Sequence, residues 1–148
     1  MFYNNNKNKI NFLLKIDFYN CQISIYKMAK LYRKNISEPW FSLIAVGCKT
    51  IEGRLNQGDW EKMKEGDQID WFNKDMEPVL KREFRTIILK KTHYQSFENY
   101  LYNEGLLKTL PSIEEPDDGL KIYQTYYSEE DEKKYGIVAL ELRVIGKY

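Results

Sequence analysis

Apolar and polar residues alternate along several short segments of this chain, and the period changes at serines, glycines and prolines. From Lys49 to Leu55 the alternation is that of a strand. Ile51, Gly53 and Leu55 fall on one side, and Thr50, Glu52 and Arg54 on the other. Gln68–Phe72 repeats the pattern with Ile69 and Trp71 on one face. Leu80–Lys91 reads as a longer strand carrying Phe84, Ile87, Ile88 and Leu89. A last strand, Tyr135–Ile145, places Val138, Leu140, Leu142 and Val144 together, with Glu141 and Arg143 opposite. Alternation therefore nominates a core of Ile51, Leu55, Ile69, Trp71, Ile88, Val138, Leu140 and Leu142.

Between these strands the spacing becomes helical. A first candidate strand, Leu31–Ile36, leads into a helix over Glu38–Val46, with Ser37 as its cap, Pro39 in its first turn and Gly47 at its exit. Gly58–Lys64 is a short helix or turn. Phe97–Asn103 is a helix capped by Ser96 and left at Gly105. Leu106, Leu107 and Leu110 form an apolar patch, and Ile113–Gly119 reads as a loop. Leu120, Tyr123 and Tyr127 share a helical face, and Ser128 opens another acidic turn. Strands with helices inserted between them predict an α+β fold built on a small barrel of about five to six strands.

At 148 residues the chain has the length of one domain. Residues 1–27 differ in composition, and Met28-Ala29-Lys30 reads like a protein start. Residues 1–27 are thus expected to be an N-terminal extension, either non-native or poorly ordered, and 28–148 the domain. The alternative is a real element, since Phe12, Leu13, Ile16 and Tyr19 have loose helical spacing. The net charge of +1 excludes a strongly basic nucleic-acid coat, so any nucleic acid must be held by a local groove. Cys21 and Cys48 give no disulfide framework, which suggests an intracellular (cytoplasmic or nuclear) protein. No apolar run approaches the ~20 residues of a membrane span, and no membrane partner is expected. The scarcity of His and Cys gives no metal site, and no cofactor motif is present.

The densest chemistry lies in Gly47-Cys48-Lys49-Thr50-Ile51-Glu52-Gly53-Arg54. A lysine, a glutamate and an arginine converging on one concave surface suit a polar ligand such as a nucleotide. The bland alternative is a solvated, ion-paired strand. Trp40 can stack a base or sit in the core. In the cluster Tyr123, Tyr126 and Tyr127, the first and last are expected to pack and Tyr126 to be more exposed. Cys48 reads as a packed thiol, since nothing ties the single histidine, His93, to it.

This octet resembles the signature of the ASCH superfamily, Gly-x-Lys-x-x-Glu-x-Arg, as Gly47, Lys49, Glu52 and Arg54. Glu38-Pro39-Trp40-Phe41 upstream and the Gly66-Asp67 turn downstream resemble the family's flanking segments, and the likeness runs from about Leu31 to Val144. The resemblance implies a PUA-like β-barrel whose cleft is lined by the signature residues. It implies RNA, or a nucleotide or modified nucleoside, as ligand, with Lys49, Glu52 and Arg54 as binding residues, to which the residue chemistry above adds Trp40 and Tyr126 as aromatics that can stack on or rim the ligand. Some similar bacterial proteins are amidohydrolases on N4-acetylcytidine, with the motif lysine in the catalytic set. In an enzyme of that kind, or a ribonuclease, Lys49 and Glu52 would be catalytic. Those amidohydrolases carry threonine where this chain has Glu52.

Overall fold

The computed structural model describes residues 29–75 and 82–147. The expected extension, 1–27, lies outside the described residues. Among the described residues, five strands and six short helices follow in the order β1 (Leu31–Asn35), α1 (Trp40–Ala45), β2 (Ile51–Leu55), α2 (Asp59–Lys62), β3 (Gln68–Asn73), β4 (Arg82–Tyr94), α3 (Phe97–Glu104), α4 (Leu106–Thr109), α5 (Pro116–Gln124), α6 (Glu129–Tyr135) and β5 (Ile137–Lys147). The strands form one mixed sheet in the order β1-β3-β4-β5-β2, curved into a partial barrel. Among the described strands β1 and β3 run parallel, and the pairs β3–β4, β4–β5 and β5–β2 are antiparallel. The fold is α+β, with β1 and β2 as the two edges of the sheet.

Two apolar clusters sit on opposite sides of this sheet. Ile69, Trp71, Phe84, Ile88, Leu140 and Leu142 meet Phe41 and Ile44 of α1 on one side. Ile51, Leu55, Ile137 and Ala139 meet Phe97, Tyr100 and Leu101 of α3 and Tyr123 of α5 on the other. Strand β5 is therefore buried on both faces over Ile137–Leu140, and all eight nominated core residues are buried. Gly53 makes the second packing possible. A Cβ there would lie 2.6 Å from the Tyr100 ring, so only a glycine lets α3 approach β2 this closely.

The helices depart from the sequence reading at two places. Residues 113–119 are not all loop: α5 begins at Pro116, with Asp117 and Asp118 in its first turn. These are start signals, proline where no N–H is needed and acids at the positive end of the dipole. Gly119 lies inside the helix, where a Cβ would come within 3.1 Å of Leu106 and Leu110. At α1 the N-cap is Pro39, not Ser37. The Glu38 carboxylate serves instead, accepting from the Ser42 N–H and Oγ, while Arg82 also reaches Glu38. The caps at Ser96, Gly105 and Ser128 are as expected. Among the described residues no helix is long and apolar enough to cross a membrane.

Candidate functional site

The turn out of α1 aims the motif. Gly47 is left-handed at φ 80°. Its N–H bonds the Ile44 carbonyl at 2.9 Å, and the Cys48 N–H bonds the Leu43 carbonyl at 2.9 Å. This Schellman arrangement closes the helix and turns the chain inward at Lys49. Three acceptors then surround the Lys49 ammonium: the Ile51 carbonyl at 2.7 Å, the Thr109 carbonyl and Glu52 Oε2 at 3.0 Å. The two carbonyls accept hydrogen bonds from the amine, and the Glu52 carboxylate beside it is an ion pair that favours the charged form. Burial pulls its pKa down, and Glu52 opposes that shift.

Glu52 is the centre of the group. Its other oxygen, Oε1, lies 2.7 Å from Arg54 Nε, an ion pair rather than an aligned hydrogen bond. Burial pushes the Glu52 carboxyl up, but Lys49 and Arg54 outweigh it and hold the pKa below the ordinary value. For Arg54, burial works against the charge, and Glu52 and Tyr127 more than restore it. Its Nη1 donates to the Tyr127 hydroxyl at 3.2 Å, and the guanidinium lies over the Trp60 ring at 5.2 Å. Exposure rises along the trio: 1% of the Lys49 side chain, 6% of Glu52 and 23% of Arg54.

The trio opens on a cavity of about 240 Å³ along β2, the last strand in the sheet order. Asn35, Ile36 and Ser37 at the end of β1 form one side, so the cavity lies between the two edges of the sheet. Trp40 stands beside it, its ring 5.8 Å from the Lys49 amine. Ile122, Tyr123, Tyr126 and Tyr127 form the remaining wall. Tyr123 and Tyr127 stack on Phe97 at 4.2 and 5.2 Å, which fixes their rings. Burial first, and the Glu52 charge second, push the Tyr123 pKa up, so it stays a neutral hydroxyl. The volume is below the ~300–1,000 Å³ usual for drug-sized ligands, so the cavity suits one small ring system.

The family model of the ASCH domain matches residues 35–146. The chain belongs to the ASCH domain family. The crystal structure of the hypothetical protein PH0355 is similar at 32% identity and TM-score 0.68, covering 78% of this chain and 99% of that one. The solution structure of protein PF0455 from Pyrococcus furiosus is similar at 30% identity and TM-score 0.63, covering 78% and 97%. No curated protein matches the chain.

In this ASCH domain, Trp40, Lys49, Glu52, Arg54 and Tyr126 all line the one cavity. Tyr126 is the exposed member at 69%, while Tyr123 is buried. The bland reading of a solvated strand does not describe the motif, since Glu52 is 5% exposed. Cys48 is exposed, not packed, because the turn at Gly47 points it outward while Lys49 takes the inward position. Trp60, which supports Arg54, was not singled out by sequence. Its signal is weak: a lone aromatic after Gly58-Asp59, with nothing to tie it to Arg54. Asn35 and Ser37 were missed for a similar reason, because their place at the cavity depends on β1 lying at the opposite edge. Among the described residues, no three His, Cys, Asp or Glu side chains group to hold a metal ion.

Proposed function

We propose that this ASCH domain is a binding module that takes a single nucleobase, of RNA or of a nucleotide or nucleoside, into the cleft of its signature motif. The observation that carries it is the convergence of Lys49, Glu52 and Arg54 on a small cavity walled by Trp40 and three tyrosines. Aromatic walls suit a planar ring. A fixed carboxylate between two cations suits the amino edge of a base. Lys49 sets Glu52 in place, Arg54 and Trp40 contact the ligand, and Tyr126 closes over it.

The same geometry favours binding over turnover. A lysine with only 1% of its side chain exposed, bonded to two carbonyls and paired to a carboxylate, is poorly placed to attack a ligand or to take a proton from it. A glutamate held below the ordinary carboxylate range is a weak general base at neutral pH.

Tyr126→Ala tests the binding role with little risk to the fold, because that side chain is 69% exposed. Affinity for a base-containing ligand should fall by about 1–3 kcal/mol, the scale of one stacked base, with the melting temperature unchanged. Unchanged affinity would remove the stacking role. Incubation with N4-acetylcytidine, followed by mass spectrometry, should leave the nucleoside intact. Release of acetate would make the protein an amidohydrolase with Lys49 and Glu52 in its catalytic set.

A further inference from the structure

We infer that the cleft prefers the phosphate-bearing form of its ligand, with one anionic phosphate seated on Arg54 beside the base. This rests on the nucleobase reading above and narrows it from nucleoside to nucleotide.

The argument begins with a charge count. Among the described residues lining the cavity, the ionised side chains are Lys49, Glu52 and Arg54. Lys49 is an ammonium ion-paired with Glu52 and bonded to two carbonyls, Glu52 is ionised and Arg54 is a guanidinium. Two cations and one anion leave a single positive charge unmatched. Its place is set by the exposure gradient. Lys49 is sealed against carbonyls and Glu52, whereas the Arg54 side chain is 23% exposed at the cavity. The excess charge therefore meets the ligand at Arg54.

Arg54 is also held in position. Its Nε is against Glu52, its Nη1 donates to Tyr127 and its face lies over Trp60. Its Nη2 has no hydrogen-bond partner among the described residues. A guanidinium clamped on one side, with donors left at the other, is a preorganised anion anchor that costs little ordering on binding. A neutral nucleoside would fill the aromatic part of the cleft and leave this charge facing it unmatched. A phosphate monoester or an internucleotide phosphodiester would match it. Both sources share the chemistry of a base with an adjacent phosphate. With a net chain charge of +1, the local anchor and not a general field must supply the attraction.

The test is calorimetric titration of the full-length chain with three ligand sets. They are the common ribonucleosides with N4-acetylcytidine, the matching 5′- and 3′-monophosphates, and short single-stranded oligoribonucleotides. Each is measured at about 50 mM and about 200 mM salt, the range over which phosphate contacts are weakened. A monophosphate should bind about tenfold or more tighter than its own nucleoside, the scale of one charge-assisted hydrogen bond. The advantage should shrink at the higher salt, and inorganic phosphate should compete. In Arg54→Gln the monophosphate should fall to the affinity of the nucleoside, and circular dichroism checks that this variant is folded. If the variant does not fold, the salt dependence of the unaltered protein decides. Oligonucleotides binding tighter than monophosphates would identify RNA as the phosphate's source; equal affinity would identify free nucleotides. Equal affinity for nucleoside and monophosphate in the unaltered protein overturns the inference and leaves the nucleobase reading standing. Binding by neither ends both.

Discussion

Two charged rows in this molecule have the same sequence pattern and opposite surroundings. Across β1, β3 and β4, Arg33, Asp70 and Arg85 lie in register, with Glu83 pairing to Arg33. Asp70 and Arg85 form a two-point contact at 2.6 and 2.9 Å. Behind them Ile69, Trp71 and Phe84 are buried, so this is ordinary alternation with a wet outer face. Strand β2 alternates in the same way but is covered on both sides. The segment between β4 and β5 folds into α3–α6, and Tyr100 presses on Gly53. The outer row pairs its charges at a partly covered surface, where 20% of the Asp70 side chain and 29% of Arg85 still meet solvent and pairing is worth little. The β2 row pairs them away from water, where each loss leaves an uncompensated charge. Alternation tells which residues share a face; it does not tell what covers that face.

The contrast breaks most sharply at Glu52. Glu52→Ala leaves two buried cations facing each other and should cost about 3–5 kcal/mol in denaturant unfolding. A loss below about 1 kcal/mol, the level of a surface pair, would mean that the trio is hydrated and the contrast false. Gly53→Ala attacks the covering instead of the charge. Its Cβ meets the ring of Tyr100, itself wedged against Phe97 and Tyr123, and about 1–3 kcal/mol should be lost. An unchanged melting temperature would show that α3 can shift away.

Acid titration sharpens the same point. The Glu52 pKa is lower folded than its ordinary value of 4.5, so its contribution to stability is complete above that value. It is lost as pH falls from there through the folded pKa. Denaturation midpoints should drop over that window, and Glu52→Gln should flatten this part of the profile. An identical profile in the variant would assign the acid sensitivity to other carboxylates. The smallest effect belongs to the outer row. A double-mutant cycle on Asp70 and Arg85 should give a coupling of about 0–1 kcal/mol. A value several times larger would put that row in the same class as β2.

Much of the barrel was legible because strands with one wet face advertise their registers. Ile69, Trp71, Leu140 and Leu142 were found that way, and the motif pattern was enough to bring Lys49, Glu52 and Arg54 to one place. Three things were hidden. The start of α5 was masked by Pro116, Asp117-Asp118 and Gly119, residues that also make loops; only the packing of Gly119 on Leu106 and Leu110 separates the two. Burial of Ile137 and Ala139 was hidden because β5 has no wet face there. The role of Arg54 was seen only in part. Read from the chain, Arg54→Ala should weaken binding and spare stability. With Arg54 in contact with a buried carboxylate, the same change should lower both.

The reach of Lys49 has a kinetic consequence. Its amine closes on the carbonyl of a residue 60 positions away along the chain. In the unfolded chain that amine is hydrated, and it can give up its water only once α4 has docked against β2. We expect such a contact to form late, after the strands around it are paired, and the folding and unfolding rates of Lys49→Met would test this. Its loss should therefore leave the folding rate nearly unchanged and appear as faster unfolding. The residue that looks most like a catalyst in the sequence would then act chiefly as a latch, setting how long the cleft stays assembled once made.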